Sequence, residues 1–201
     1  MTRIKLCGLS RICDIEAANE LMPDYVGFVF ARASKRYVAP VKANELREIL
    51  NPEIKSVGVF VNEPPENILT LEFIDCIQLH GTEDESYIQL LRAHTDKTII
   101  KAFRVQNLND IHKANESSAD YVLLDSGKGT GKIFDWQLIK GITREYFLAG
   151  GLNPGNVAEA IKTLNPFAVD VSSGIEVDGV KDKNKMREFV NTVRSVNDDK
   201  P

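Results

Sequence analysis

Several classes of protein are excluded by what this 201-residue chain is short of. It carries three cysteines, Cys7, Cys13 and Cys76, an odd number with no CxxC spacing. That excludes a disulfide framework and points to the reduced thiols of a cytoplasmic protein. Histidine is equally scarce, and His80, His94 and His112 lie far apart with no metal-ligand spacing, so no metal is expected. No apolar run approaches the roughly 20 residues of a membrane span, and the first residues form no apolar leader. Positive charge is not in excess either: the net charge is −4, which argues against a nucleic-acid partner. The densest basic stretch, Lys181–Arg187, is interrupted by Asp182 and reads as a solvated helix start. Walker A, dinucleotide-binding and GxSxG signatures are all missing. No linker or composition shift divides residues 1–201, so they read as one domain.

What the chain does have is alternation. Runs rich in Val, Ile, Leu and Phe at 3–7, 24–30, 55–61, 75–80, 98–103, 119–125, 145–149 and 167–172 have strand character. Between and after them lie helical patterns at 12–21, 41–50, 65–72, 83–93, 107–115, 135–140, 154–164 and 182–194. Pro64-Pro65 can open a helix, residues 82–85 (TEDE) give a capping-box pattern, and Asn153-Pro154 puts proline at a first helical position. Asp24-Tyr25-Val26 and Asp120-Tyr121-Val122 open two strands alike, a weak internal repeat. Eight βα units imply a parallel sheet, and closure into one compact (β/α)₈ TIM barrel is the natural solution for that count. An open doubly wound sheet has the same alternation, and sequence does not show closure.

Strand parity then sorts the polar residues. In a barrel, alternate residues face the lumen. Ile4 and Leu6 should pack under the helices, leaving Lys5 and Cys7 inside; likewise Gln78 and His80, and Asp170 and Ser172, should face inward. Asp125 closes the sixth strand after Leu123-Leu124. These polar groups gather towards the carboxyl ends of the strands, where barrel active sites are built. Glycine-rich loops follow the last three strands: SGKGTGK (126–132), GGLNPGN (150–156) and SSGIE (172–176). Their backbone N–H groups suit a phosphate. Asp125 and Cys7 remain as a proton-transfer pair. Cys7 reads equally as a core thiol or as a base, and as a base it needs a lowered pKa or a nearby cation such as Lys5.

In family order, the pieces KLCGL (5–9), GFVF and SKRYV (within 27–38), GVFVN (58–62), QLHG (78–81), GTGKIFDW (129–136), LAGGLNPGNV (148–157) and DVSSGIE (170–176) resemble phosphoribosylanthranilate isomerase of tryptophan biosynthesis. The resemblance implies a single (β/α)₈ barrel that carries out a cofactor-free Amadori rearrangement of N-(5-phosphoribosyl)anthranilate, usually as a monomer. It places the general base at Cys7 and the general acid at Asp125. By the same resemblance Arg36 holds the anthranilate carboxylate, His80 and Asp170 line the substrate pocket, and Gly129, Gly131, Gly150, Gly151, Ser173 and Gly174 cradle the phosphate. Two positions depart from the family pattern: Lys35 stands where proline is usual, and Lys128 where another glycine is usual. The alternatives are an isomerase of the histidine-pathway aminoaldose and a catalytically silent phospho-sugar binder. Cysteine at position 7 argues against the first, and the presence of both Cys7 and Asp125 against the second.

Overall fold

The computed structural model describes residues 1–125 and 136–198. Eight parallel strands close into a barrel in chain order: β1 (Arg3–Cys7), β2 (Tyr25–Val29), β3 (Lys55–Phe60), β4 (Cys76–Leu79), β5 (Thr98–Arg104), β6 (Tyr121–Asp125), β7 (Tyr146–Ala149) and β8 (Ala168–Val171). The expected closure is present, because β1 pairs with β8 from Arg3↔Ala168 to Leu6↔Val171. Helices follow each strand: α1 (Ile12–Leu21), α2 (Pro40–Glu48), α3 (Pro65–Leu69), α4 (Glu85–Arg92), α5 (Leu108–Glu116), α6 (Trp136–Ile139), α7 (Val157–Leu164) and α8 (Lys183–Asp198). A 3₁₀ turn, Ser173–Ile175, and a small hairpin of β9 (Glu176–Val177) and β10 (Val180–Lys181) stand between β8 and α8.

The strands are buried on both faces, so they form two cores. Ile4, Leu6, Val26, Phe28, Ile77, Leu79, Val169 and Val171 pack outward under the helices. Tyr25, Val57, Cys76, Ile100, Leu123, Phe147 and Ala168 fill the lumen. The parity assigned to β1, β4 and β8 is therefore the observed one. Phe147 is fully buried, which contributes about 1.5–3 kcal/mol, and Tyr25 and Tyr121 meet it edge-on. Tyr121 stacks on Phe167 and the Arg3 guanidinium lies 4.7 Å from the Phe167 ring centroid. This aromatic floor closes the amino-terminal end of the lumen and leaves the other end for a site.

Three local readings need correction. Helix α4 starts at Glu85 with Asp84 as its cap, not at residue 83, because Thr82 is drawn to Asn62 and Glu83 to Lys101. Pro154 does not open α7: Asn153 Oδ1 accepts from Gly155 N and makes a turn, and the helix begins at Val157. Lys181 is not part of a solvated helix start. It is 7% exposed and paired with Glu176. Lys183 and Arg187, by contrast, are exposed and face Glu20.

Candidate active site

At the carboxyl ends of the strands a cavity of about 570 Å³ opens, and Cys7, Arg36, His80, Asp125 and Asp170 all line it. Gly150, Gly151 and Ser173 complete its wall from the loops after β7 and β8. Gly174 stands just behind, inside the 3₁₀ turn, where a Cβ would collide with the Leu152 carbonyl oxygen. The turn after β8 and the loop after β7 can press together there only because residue 174 has no side chain. Gly129, Gly131 and Lys128 lie outside the described residues.

Cys7 is placed by its neighbours on both sides. It pairs with Gly27 of β2, where a Cβ would stand 2.7 Å from the thiol sulfur. On the other side Ser172 Oγ donates to the Cys7 carbonyl at 3.1 Å. The chain then turns through Gly8 at φ +80°, a left-handed conformation suited to glycine, and a Cβ there would run into the Arg36 stem at 2.6 Å. The KLCG run thus places the thiol and leaves room for the arginine.

Beneath the thiol, Lys5 is fully buried, with its Nζ 2.8 Å from Asp170. Burial opposes the lysine charge, but Asp170 and Cys7 outweigh it and hold the ammonium well above its ordinary pKa. The thiol moves up as well, above its ordinary value near 9.0. Burial is the main cause and Asp170 adds to it, while Lys5 and Lys181 pull the other way. A cation does stand near Cys7, as a base requires, yet in this dry setting it does not overcome desolvation.

Across the mouth, Gln78 Nε2 donates to His80 Nδ1 at 2.8 Å. The remaining proton of a neutral His80 is thereby assigned to Nε2, which sits 3.3 Å from Asp125 Oδ2. Asp125 ends β6 part-exposed to the cavity, with its carboxylate facing His80 Nε2.

Arg36 comes from the loop after β2 and is engaged by Glu176, with Nε and Nη2 donating to the two carboxylate oxygens at 2.6 and 2.7 Å. Sequence reading assigns Glu176 and Lys181 no role in the site. Asp178-Gly179, between valines, was the available signal: it is a two-residue hairpin turn whose φ values are +51° and +80°. Gly27 belongs to the GFVF motif, but nothing local to it indicates a thiol across the sheet.

A family model described as N-(5'-phosphoribosyl)anthranilate (PRA) isomerase matches residues 4–192. An N-(5'-phosphoribosyl)anthranilate isomerase of Endomicrobium trichonymphae is 48% identical over 98% of this chain and 100% of its own length. The chain belongs to the N-(5'-phosphoribosyl)anthranilate isomerase family. Among solved structures, the phosphoribosyl anthranilate isomerase of Thermotoga maritima superposes with a TM-score of 0.87 at 38% identity, covering 97% of this chain and 100% of that one. A second structure of a phosphoribosyl anthranilate isomerase, in complex with reduced 1-(o-carboxyphenylamino)-1-deoxyribulose 5-phosphate, superposes with a TM-score of 0.85 at 37% identity and covers the same shares. Every described cavity residue falls inside the segment matched by the phosphoribosylanthranilate isomerase model.

Proposed function

We propose that Cys7 as general base and Asp125 as general acid carry out the family's reaction, the Amadori rearrangement of N-(5-phosphoribosyl)anthranilate to 1-(2-carboxyphenylamino)-1-deoxyribulose 5-phosphate in tryptophan biosynthesis. The reaction follows from family membership. The observation that supports the roles is that the thiol at the end of β1 and the carboxyl at the end of β6 meet one cavity from separate parts of its rim. Asp125 gives its proton to the ribose ring oxygen, and the furanose opens to a Schiff base. The Cys7 thiolate takes the proton from C2′, and the enolamine formed tautomerises to the ketone. His80 Nε2–H then faces the carboxylate left on Asp125. Acid–base groups placed in this way typically contribute about 10²–10⁴-fold each.

Arg36 receives the anthranilate carboxylate in this reading, with His80 and Asp170 beside the sugar. Gly150, Gly151, Ser173 and Gly174 provide the described part of the phosphate cradle; Gly129 and Gly131 would complete it from outside the described residues. The ligand is a small phosphoribosyl compound. We take the 201-residue chain to work as one domain, in the cytoplasm, and as a monomer; the Thermotoga maritima relative is dimeric. Among the described residues no helix is long and apolar enough to cross a membrane.

The test follows the loss of substrate fluorescence with freshly made phosphoribosylanthranilate. Cys7→Ala and Asp125→Asn should each fold and each lose about 10²-fold or more in kcat. Near-wild-type turnover by either folded variant would remove that residue from its role.

A further inference from the structure

We propose that Glu176 is a positioning residue: it presents Arg36 to the substrate's aromatic carboxylate and so sets the specificity of that end of the site. The inference rests on the reading of Arg36 as the carboxylate anchor. Arg36 lines the cavity, whereas Glu176 does not; it reaches the guanidinium from behind, its side chain 8% exposed. The contact is side-on, through Nε and Nη2. A guanidinium has five N–H donors in a planar fork, and side-on pairing uses two of them. The end-on edge formed by Nη1 and the second N–H of Nη2 is left for another planar anion.

Charge balance fits the same purpose. Glu176 alone would neutralise Arg36 and leave nothing to attract an anion. Lys181 prevents this: its Nζ lies 2.6 Å from the same carboxylate and is nearly buried, so two cations share one anion. Of these two cations, Arg36 is the one that lines the cavity. The support is also stiff. Asp182 N donates to the Ile175 carbonyl at 2.9 Å, Arg11 Nη2 to the Lys181 carbonyl at 2.6 Å, and Lys181 Nζ to the Ser172 carbonyl at 2.9 Å. A long loop arginine is thus ordered during folding rather than when substrate arrives.

Four proteins test this: wild type, Arg36→Ala, Glu176→Gln and the double variant, each assayed for kcat and KM with phosphoribosylanthranilate and checked for folding by circular dichroism. Arg36→Ala should raise KM roughly tenfold or more. Glu176→Gln should raise KM roughly three- to tenfold with kcat within about twofold, and should add nothing in the Arg36→Ala background. An equal KM increase from Glu176→Gln in both backgrounds would overturn the proposal, as would an unchanged KM. If Arg36→Ala itself leaves KM unchanged, the anchor reading falls and takes this inference with it. Should Glu176→Gln fail to fold, Glu176→Asp keeps a charge for Lys181 but is too short to span both contacts. It should then raise KM by a smaller factor, and an unchanged KM would refute the role.

Discussion

Replacing Lys5 with methionine keeps most of the buried volume and removes the cation that Asp170 holds beneath Cys7. Unit charges 2.8 Å apart attract by roughly 6 kcal/mol at an effective dielectric of about 20. Desolvation of the lysine offsets part of that attraction. What the variant leaves behind is a carboxylate 8% exposed with its lysine gone, so the expected loss of stability is about 3–5 kcal/mol. For a chain of this size that lowers Tm by roughly 6–20 °C. Neutralising both partners, as Lys5→Met with Asp170→Asn, should recover much of the loss, since the stranded charge is its main source. The fold holds the Lys5 pKa above its ordinary 10.5, so the pair's contribution is present at neutral pH and is lost only as pH rises through the folded lysine's own titration. The same variant removes the group that most favours the Cys7 thiolate, so the thiol pKa should climb further and the ascending limb of kcat/KM, which the base sets, should move to higher pH. Each unit of that movement lowers the rate at a fixed lower pH about tenfold. The assay is a pH series of kcat/KM beside a urea titration, with iodoacetamide alkylation of Cys7 in a Cys13→Ser background because Cys13 is exposed. An unshifted limb together with an unshifted alkylation profile would refute the electrostatic role of Lys5. A double variant no more stable than the single one would refute the stranded-charge argument.

Two further outcomes follow from close packing and from a second buried pair. Gly27→Ala places a methyl 2.7 Å from the Cys7 sulfur and 3.2 Å from its Cα, so the thiol must move; kcat should fall by roughly 10²-fold with a stability cost of about 1–3 kcal/mol. Full kcat in that variant would show that the position of Cys7 does not matter. Glu83, nearly buried, accepts from Lys101 at 2.9 Å and from the amides of Asn62 and Gly81, ties that outweigh the cost of burial and hold its pKa below the ordinary 4.5. Its contribution is therefore complete above about pH 4.5 and lost as pH falls through the lowered value. Glu83→Gln should cost about 3 kcal/mol at pH 7, and the gap to wild type in urea titrations should narrow near pH 3. A gap independent of pH would rule out the ionised carboxylate as its source.

The sequence by itself determined the order of elements, because hydrophobic runs of strand and helix period alternate eight times and each period depends on neighbours in the chain. It also determined which face each strand residue takes: a period of two leaves no other choice for Lys5, Cys7, Gln78, His80 and Asp170 once one face must meet the helices. Helix starts were less legible. Residues 82–85 form a sound capping pattern, but Asn62 draws Thr82 away from that role, Lys101 takes the neighbouring Glu83, and the cap passes to Asp84. Only the tertiary structure decided closure, since the β1–β8 pairing joins residues more than 160 positions apart and leaves no local trace. It alone decided that Gly27 clears space for a thiol on the neighbouring strand, and that Glu176 and Lys181 of a short hairpin stand behind Arg36. The protonation of Cys7 belongs to the same group. It depends on how burial weighs against Lys5, Lys181 and Asp170, and that balance exists only when the barrel has brought them together.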